Sequence, residues 1–210
     1  MRGLRRPRLA VLISGSGRTL ANLIAASESG VLDADIVVVV SSKAGVRGLE
    51  IAAEAGIPAV VVTRNAFPDD ATYSAAIYQA IAPYEPDLAI CAGFLKRLVV
   101  PAEWVGRILN IHPALIPESA AAGTGFYGLY VHAAVIASGA EESGATVHVV
   151  DDEYDHGPVV EQQRVPVLPG DTPESLAARV FAAECELYPR AIGRYLRERS
   201  GLTDRVADEG

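Results

Sequence analysis

The chain has 210 residues, half of them apolar, enough to bury the core of one ordinary domain and short for two. Its formal charge of −8, from 26 acidic and 18 basic side chains, excludes a protein built to grip phosphate backbones, which concentrates Lys and Arg on one face. A small anionic ligand stays within reach, because backbone N–H groups hold anions without net positive charge.

The start, Met1 to Arg8, is basic, but the apolar segment after it, Leu9–Ile13, is too short for a signal peptide or a membrane span. We therefore expect an extension over 1–8, one domain over 9–199, a polar frayed tail over 200–210, a cytoplasmic location and no membrane partner. Leu9–Ile13 reads as the first strand, and Ser14-Gly15-Ser16-Gly17-Arg18-Thr19-Leu20 carries it into a helix over Arg18–Ser29. The glycines permit a tight turn, free N–H groups at the helix start can cradle a phosphate, and Arg18 can add a bidentate partner. A plain strand-to-helix turn fits the same residues. A dinucleotide site does not: Leu20 stands where the third glycine belongs, and Ser41-Ser42-Lys43, not an acidic residue, follows the second strand.

Further strands are expected at Ile36–Val40, Ala59–Val62 and Leu88–Cys91, with helices at Val46–Ala55 and Asp69–Ile81. Cys91 and Cys185 lie too far apart for a disulfide framework and read as core thiols of a reducing compartment. Gly93 to Leu98 offers apolar atoms and two cations, a wall for a flat heteroaromatic with an acidic tail, or else a surface loop. A strand over Val105–Ile111, a helix over Tyr127–Ser138 and a strand over Ala145–Val150 follow. Val159–Val167 alternates polar and apolar residues as an edge or antiparallel strand does. The last helix spans Thr172–Arg199, with Asp171 or Thr172 as cap and Pro173 as first residue.

Continuous apolar strands alternating with helices give a doubly wound α/β fold, mostly parallel, with helices on both faces of the sheet. Ligands of such sheets bind beyond the carboxyl ends of the strands, so Ser14–Thr19, Cys91–Leu98 and Asn110–Ile116 should share one rim. Asn110 and His112 stand two apart on an extended backbone and point to one side, and Pro113 ends regular pairing. An amide can donate to a developing oxyanion, and an imidazole carries a proton near neutrality. Asp151, Asp152, Glu153 and Asp155 can form a solvated acidic turn or bring a carboxylate to that imidazole. His148 and His156 match no zinc spacing; His148 reads as a hydrogen-bonded inner histidine.

With these residues in place, the chain resembles the phosphoribosylglycinamide formyltransferase family. The resemblance rests on Val11 to Gly17, Ala92-Gly93-Phe94, Arg107 to Pro117, Thr146-Val147-His148, Asp155-His156-Gly157-Pro158, Val165-Pro166-Val167 and Glu184 to Pro189. It implies a Rossmann-like single domain that transfers the formyl group of 10-formyltetrahydrofolate, as co-substrate and without metal, to the amine of glycinamide ribonucleotide in purine biosynthesis. It makes Asn110, His112 and Asp155 the catalytic set, with Asp155 favouring the charged imidazole. It puts Gly17, Arg18 and Thr19 on the phosphate and Glu184 on the ribose. Leu95, Lys96 and Leu98, with Val150, Asp152 and the loop up to Asp155, go to the folate. The partners implied are small molecules rather than nucleic acid, and the assembly a monomer or homodimer.

The sequence departs from the family's pattern on the substrate side. Arg18-Thr19 replaces a usual Ser-Asn, Lys96 a usual arginine, one insertion falls near Val99-Val100, and a glycine-rich Glu118–Gly128 loop replaces a shorter one containing lysine. Another amine such as an amino sugar nucleotide, hydrolysis, or a noncatalytic folate-binding or nucleotide-binding module are the alternatives.

Overall fold

The computed structural model describes residues 5–117, 128–153 and 155–201. In chain order these form β1 (Arg8–Ile13), α1 (Arg18–Glu28), β2 (Asp35–Ser41), α2 (Arg47–Glu54), β3 (Ala59–Val61), α3 (Asp70–Ile81), β4 (Leu88–Cys91), β5 (Ile108–His112), α4 (Leu129–Ala137), β6 (Glu142–Val149), β7 (Val159–Pro166) and α5 (Pro173–Arg199). One seven-stranded sheet runs in the order β3-β2-β1-β4-β5-β6-β7. The pairs from β3 through β5 are parallel, and β5–β6 and β6–β7 are antiparallel. The expected doubly wound, mostly parallel fold is the observed one.

Strand alternation explains why the parallel strands read as unbroken apolar runs. Leu9, Val11 and Ile13 of β1 enter a core shared with α1, α2, α4 and α5, while Ala10 and Leu12 enter a second core under α3. The direction of winding reverses at β1, which lies between β2 and β4, so a crevice opens at the carboxyl ends of β1 and β4. Among the described residues no helix is long and apolar enough to cross a membrane.

Most strand boundaries fall within one residue of expectation, but two strand starts shift by three. β5 begins at Ile108, not Val105: a 3-10 turn over Ala102–Trp104 precedes it, and Gly106 takes a left-handed φ of 70°. The Gly106 carbonyl accepts from Tyr195 and Arg199 of α5, which leaves Val105 exposed. β6 starts at Glu142, because Ser143 and Gly144 pair with Val165 and Arg164 in an antiparallel hairpin that apolarity does not announce. At the head of α5, Thr172 is the cap: its hydroxyl accepts from the Ser175 backbone while the Ser175 hydroxyl accepts from the Thr172 N–H. Asp171 instead takes the Arg179 guanidinium at 2.7 and 3.0 Å. Cys91 is buried, but Cys185 is only partly so, and both are free thiols.

Candidate active site

The crevice is a cavity of about 950 Å³ that gathers the carboxyl ends of β1, β4 and β5, the segment after β6, and one face of α5. That size suits a ligand larger than a single small metabolite.

At one end lies the glycine turn. Gly17 caps α1 with φ 73° and no side-chain cap, so the first N–H groups of the helix face outward without a side-chain acceptor. Glycine is required here, because a Cβ at Gly17 would lie 2.5 Å from the Cα of Gly48. Arg18 places its guanidinium over the Phe181 ring of α5, 4.1 Å from the centroid. One turn further along α5, the partly buried Glu184 carboxyl is pushed up to about 7 by desolvation, against the pull of Arg18. Lys43, after β2, lines the same end. Ser14 ties this end to the next: its buried hydroxyl accepts from the Ser42 hydroxyl at 2.7 Å and from the Leu95 N–H at 3.0 Å.

In the middle, β5 carries Asn110 and His112 to the cavity on one side of the strand, as their spacing requires. Asp155 reaches both this strand and the next, with Oδ2 3.3 Å from His112 Nδ1 and Oδ1 3.5 Å from His148 Nε2. It adopts φ 54°, and the turn that holds it closes tightly: Val149 N–H donates to the Pro158 carbonyl, and a Cβ on Gly157 would lie 1.9 Å from the Val149 carbonyl oxygen. His148, opposite Asn110 in the ladder, is buried as expected. Its Nδ1 lies 3.1 Å from the Val149 carbonyl, which only accepts, so Nδ1 bears the proton. The Asn110 amide nitrogen lies 3.1 Å from Nε2 and donates to it in the tautomer that carries the proton on Nδ1, which uses one of the two amide N–H bonds.

Deeper layers hold these groups in place. Tyr188 of α5, fully buried, shares its hydroxyl proton between the Cys91 and Leu109 carbonyls at 3.0 and 3.1 Å, where β4 and β5 approach the rim. The Thr146 hydroxyl donates to the Ala114 carbonyl and accepts from Ile116 N–H and the Gln162 amide, fixing the chain after His112.

The far end carries the residues expected around the folate. Leu95, Lys96, Leu98, Val150 and Asp152 all line the cavity. Leu95 is half exposed, whereas Leu98 is 5% exposed and belongs mainly to the core under α3. Arg97 joins the two walls by donating to the Asp152 carbonyl at 3.1 Å. Val99, beside the expected insertion, is tied to α3: its N–H donates to the Ser74 hydroxyl and its carbonyl accepts from Tyr78. His156 turns outward to Asp151 at 3.3 Å, with its side chain 69% exposed. Of the Glu118–Gly128 loop only Gly128 lies within the described residues; it precedes α4 with φ 57°.

The sequence alone assigned no role in the cavity to His132, Phe181 or Lys43, all of which line it. His132 is buried on α4 with Nδ1 unpartnered, and desolvation, with the nearby His112, lowers its pKa. Its only signal was a His inside an apolar helix, which ordinarily means a core histidine.

The formyl transferase family model matches residues 7–192. The chain is 44% identical over 208 residues to a trifunctional purine biosynthetic protein adenosine-3 of Drosophila pseudoobscura pseudoobscura, covering 97% of this chain but only 14% of that protein. It is 36% identical over 202 residues to the phosphoribosylglycinamide formyltransferase of Escherichia coli (strain K12), covering 95% of this chain and 92% of the relative. The crystal structure of phosphoribosylglycinamide formyltransferase from Brucella melitensis superimposes with a TM-score of 0.80 at 40% identity, over 91% of this chain and 96% of that one.

Proposed function

The chain belongs to the formyl transferase family, and on that premise we propose that it transfers the formyl group of 10-formyltetrahydrofolate to the amine of glycinamide ribonucleotide in purine biosynthesis. The observation that carries this reading is the meeting of Asn110, His112 and Asp155 in one cavity with an uncapped glycine turn.

The amine attacks the formyl carbon, and negative charge grows on the formyl oxygen. The Asn110 N–H not spent on His148 and a proton of His112 stabilise that oxygen. Asp155 holds His112 through Nδ1 and balances the charge of the protonated ring, so donation toward substrate falls to Nε2. Asp155 also orders the water that relays the amine's proton to the departing folate nitrogen. The glycine turn with Gly17, Arg18 and Thr19 takes the phosphate, and Glu184 the ribose hydroxyls. Leu95, Lys96, Leu98, Val150 and Asp152 flank the folate, with Lys96 meeting its acidic tail as a point charge rather than a fork. Two free thiols suit a reducing compartment, and we assign the protein to the cytoplasm.

The test is steady-state formyl transfer with wild type, Asn110→Ala, His112→Ala and a no-amine control. Amine-dependent turnover should fall on the order of a hundredfold or more in Asn110→Ala and be abolished in His112→Ala. Amine-independent folate release would reassign the protein as a hydrolase, and folate binding without turnover would reassign the acceptor.

A further inference from the structure

Arg18 is placed unusually for an arginine beside a partly buried carboxyl. Among the described residues it donates no hydrogen bond and meets no carboxylate within ion-pair distance; its contact is the face of Phe181 at 4.1 Å. Glu184 feels its charge only from further away. Ala177, Phe181 and Glu184 follow one another at helical spacing along α5, so one stripe of that helix faces the glycine turn. A carboxylate at 181 would hold Arg18 more strongly but would neutralise it and compete with any arriving anion. An aromatic face orients the guanidinium plane and leaves its N–H donors unspent.

We propose that Phe181 is a positioning residue that holds Arg18 as a preset fork for a phosphate monoester dianion, and thereby sets affinity for the acceptor substrate. The inference rests on the reading that the acceptor's phosphate lies at the glycine turn. Lys43 adds a second cation at this end without a place in the stack.

The experiment compares wild type, Phe181→Leu, Phe181→Tyr, Arg18→Ser and Arg18→Ser/Phe181→Leu. Leucine keeps apolar bulk but has no ring face, and tyrosine keeps the face. Steady-state assays read KM and kcat for glycinamide ribonucleotide, and calorimetric titration with ribose 5-phosphate and with inorganic phosphate reads binding without turnover. Phe181→Leu should raise the acceptor KM and the phosphate-ligand Kd by about threefold to fivefold, with kcat and the folate KM retained. Phe181→Tyr should restore both values, and the double variant should match Arg18→Ser alone. Equal cost of Phe181→Leu with and without Arg18, or a loss in kcat instead of KM, would overturn the proposal. If wild type turns over no glycinamide ribonucleotide yet phosphate binding shows the coupling, the proposed acceptor is wrong and the Arg18–Phe181 fork stands.

Discussion

Replacing Glu184 by Gln should make the protein more stable at alkaline pH while weakening its grip on the acceptor. In the folded chain desolvation drives this carboxyl from an ordinary 4.5 to about 7, with Arg18 opposing. The unfolded chain therefore ionises first as pH rises. The stability the group contributes is complete below about 4.5 and is lost as pH climbs through about 7. That gap converts to roughly 3 kcal/mol when ionisation is complete, at about 1.4 kcal/mol per pH unit. Glutamine has the shape of the protonated acid and cannot ionise. Urea unfolding of wild type and Glu184→Gln at intervals from pH 5 to 8.5 should give curves within about 1 kcal/mol of each other at pH 5 and a variant about 3 kcal/mol more stable at pH 8, with unchanged m. The acceptor KM should rise in the same variant under the proposed function, which gives the ribose hydroxyls to this carboxylate. Stability curves that stay parallel across this range would refute the argument, because the carboxyl would then ionise in the folded protein as it does in the unfolded one.

Gly157→Ala should cost about 3 kcal/mol or more, because the new methyl falls 1.9 Å from a backbone oxygen and something must shift. Since that turn carries Asp155, kcat should fall along with the urea midpoint; a stable variant of full activity would show the turn to be pliable. Tyr188→Phe leaves the Cys91 and Leu109 carbonyls without their shared donor in a fully buried place, at a cost of about 1–3 kcal/mol. Thermal unfolding reads it, and an unchanged Tm would mean that the two strands do not depend on the hydroxyl.

Much of the architecture was legible because the physics is local. Buried parallel strands need apolar side chains on both faces, so β1, β2 and β4 stand out, and Pro173 after a threonine marks the head of α5. The start of β6 was not legible, since Ser143 and Gly144 join the sheet through a partner strand some twenty residues away. The left-handed Gly106 likewise cut β5 short by a conformation that the surrounding apolarity hides. In the site, the spacing of Asn110 and His112 on a strand sufficed to put them side by side. That a carboxylate could join them was legible, but Asp155 was singled out among the four acidic residues only by resemblance, because its reach depends on a turn that folds back over His148. Phe181 left no trace of its own, for an aromatic on an amphipathic helix reads as core until the residue above it is known.

The contact of Gly17 with Gly48 bears on how this chain can be altered. A methyl on Gly17 would collide with the backbone of α2, and one on Gly48 would lie 2.5 Å from Ile13 Cδ1. The path of the main chain through the turn is thus closed to variation, whereas the side chains of Ser16, Arg18 and Thr19 remain at least partly exposed. A library seeking a new acceptor should randomise those three positions, together with Phe181, and leave both glycines fixed.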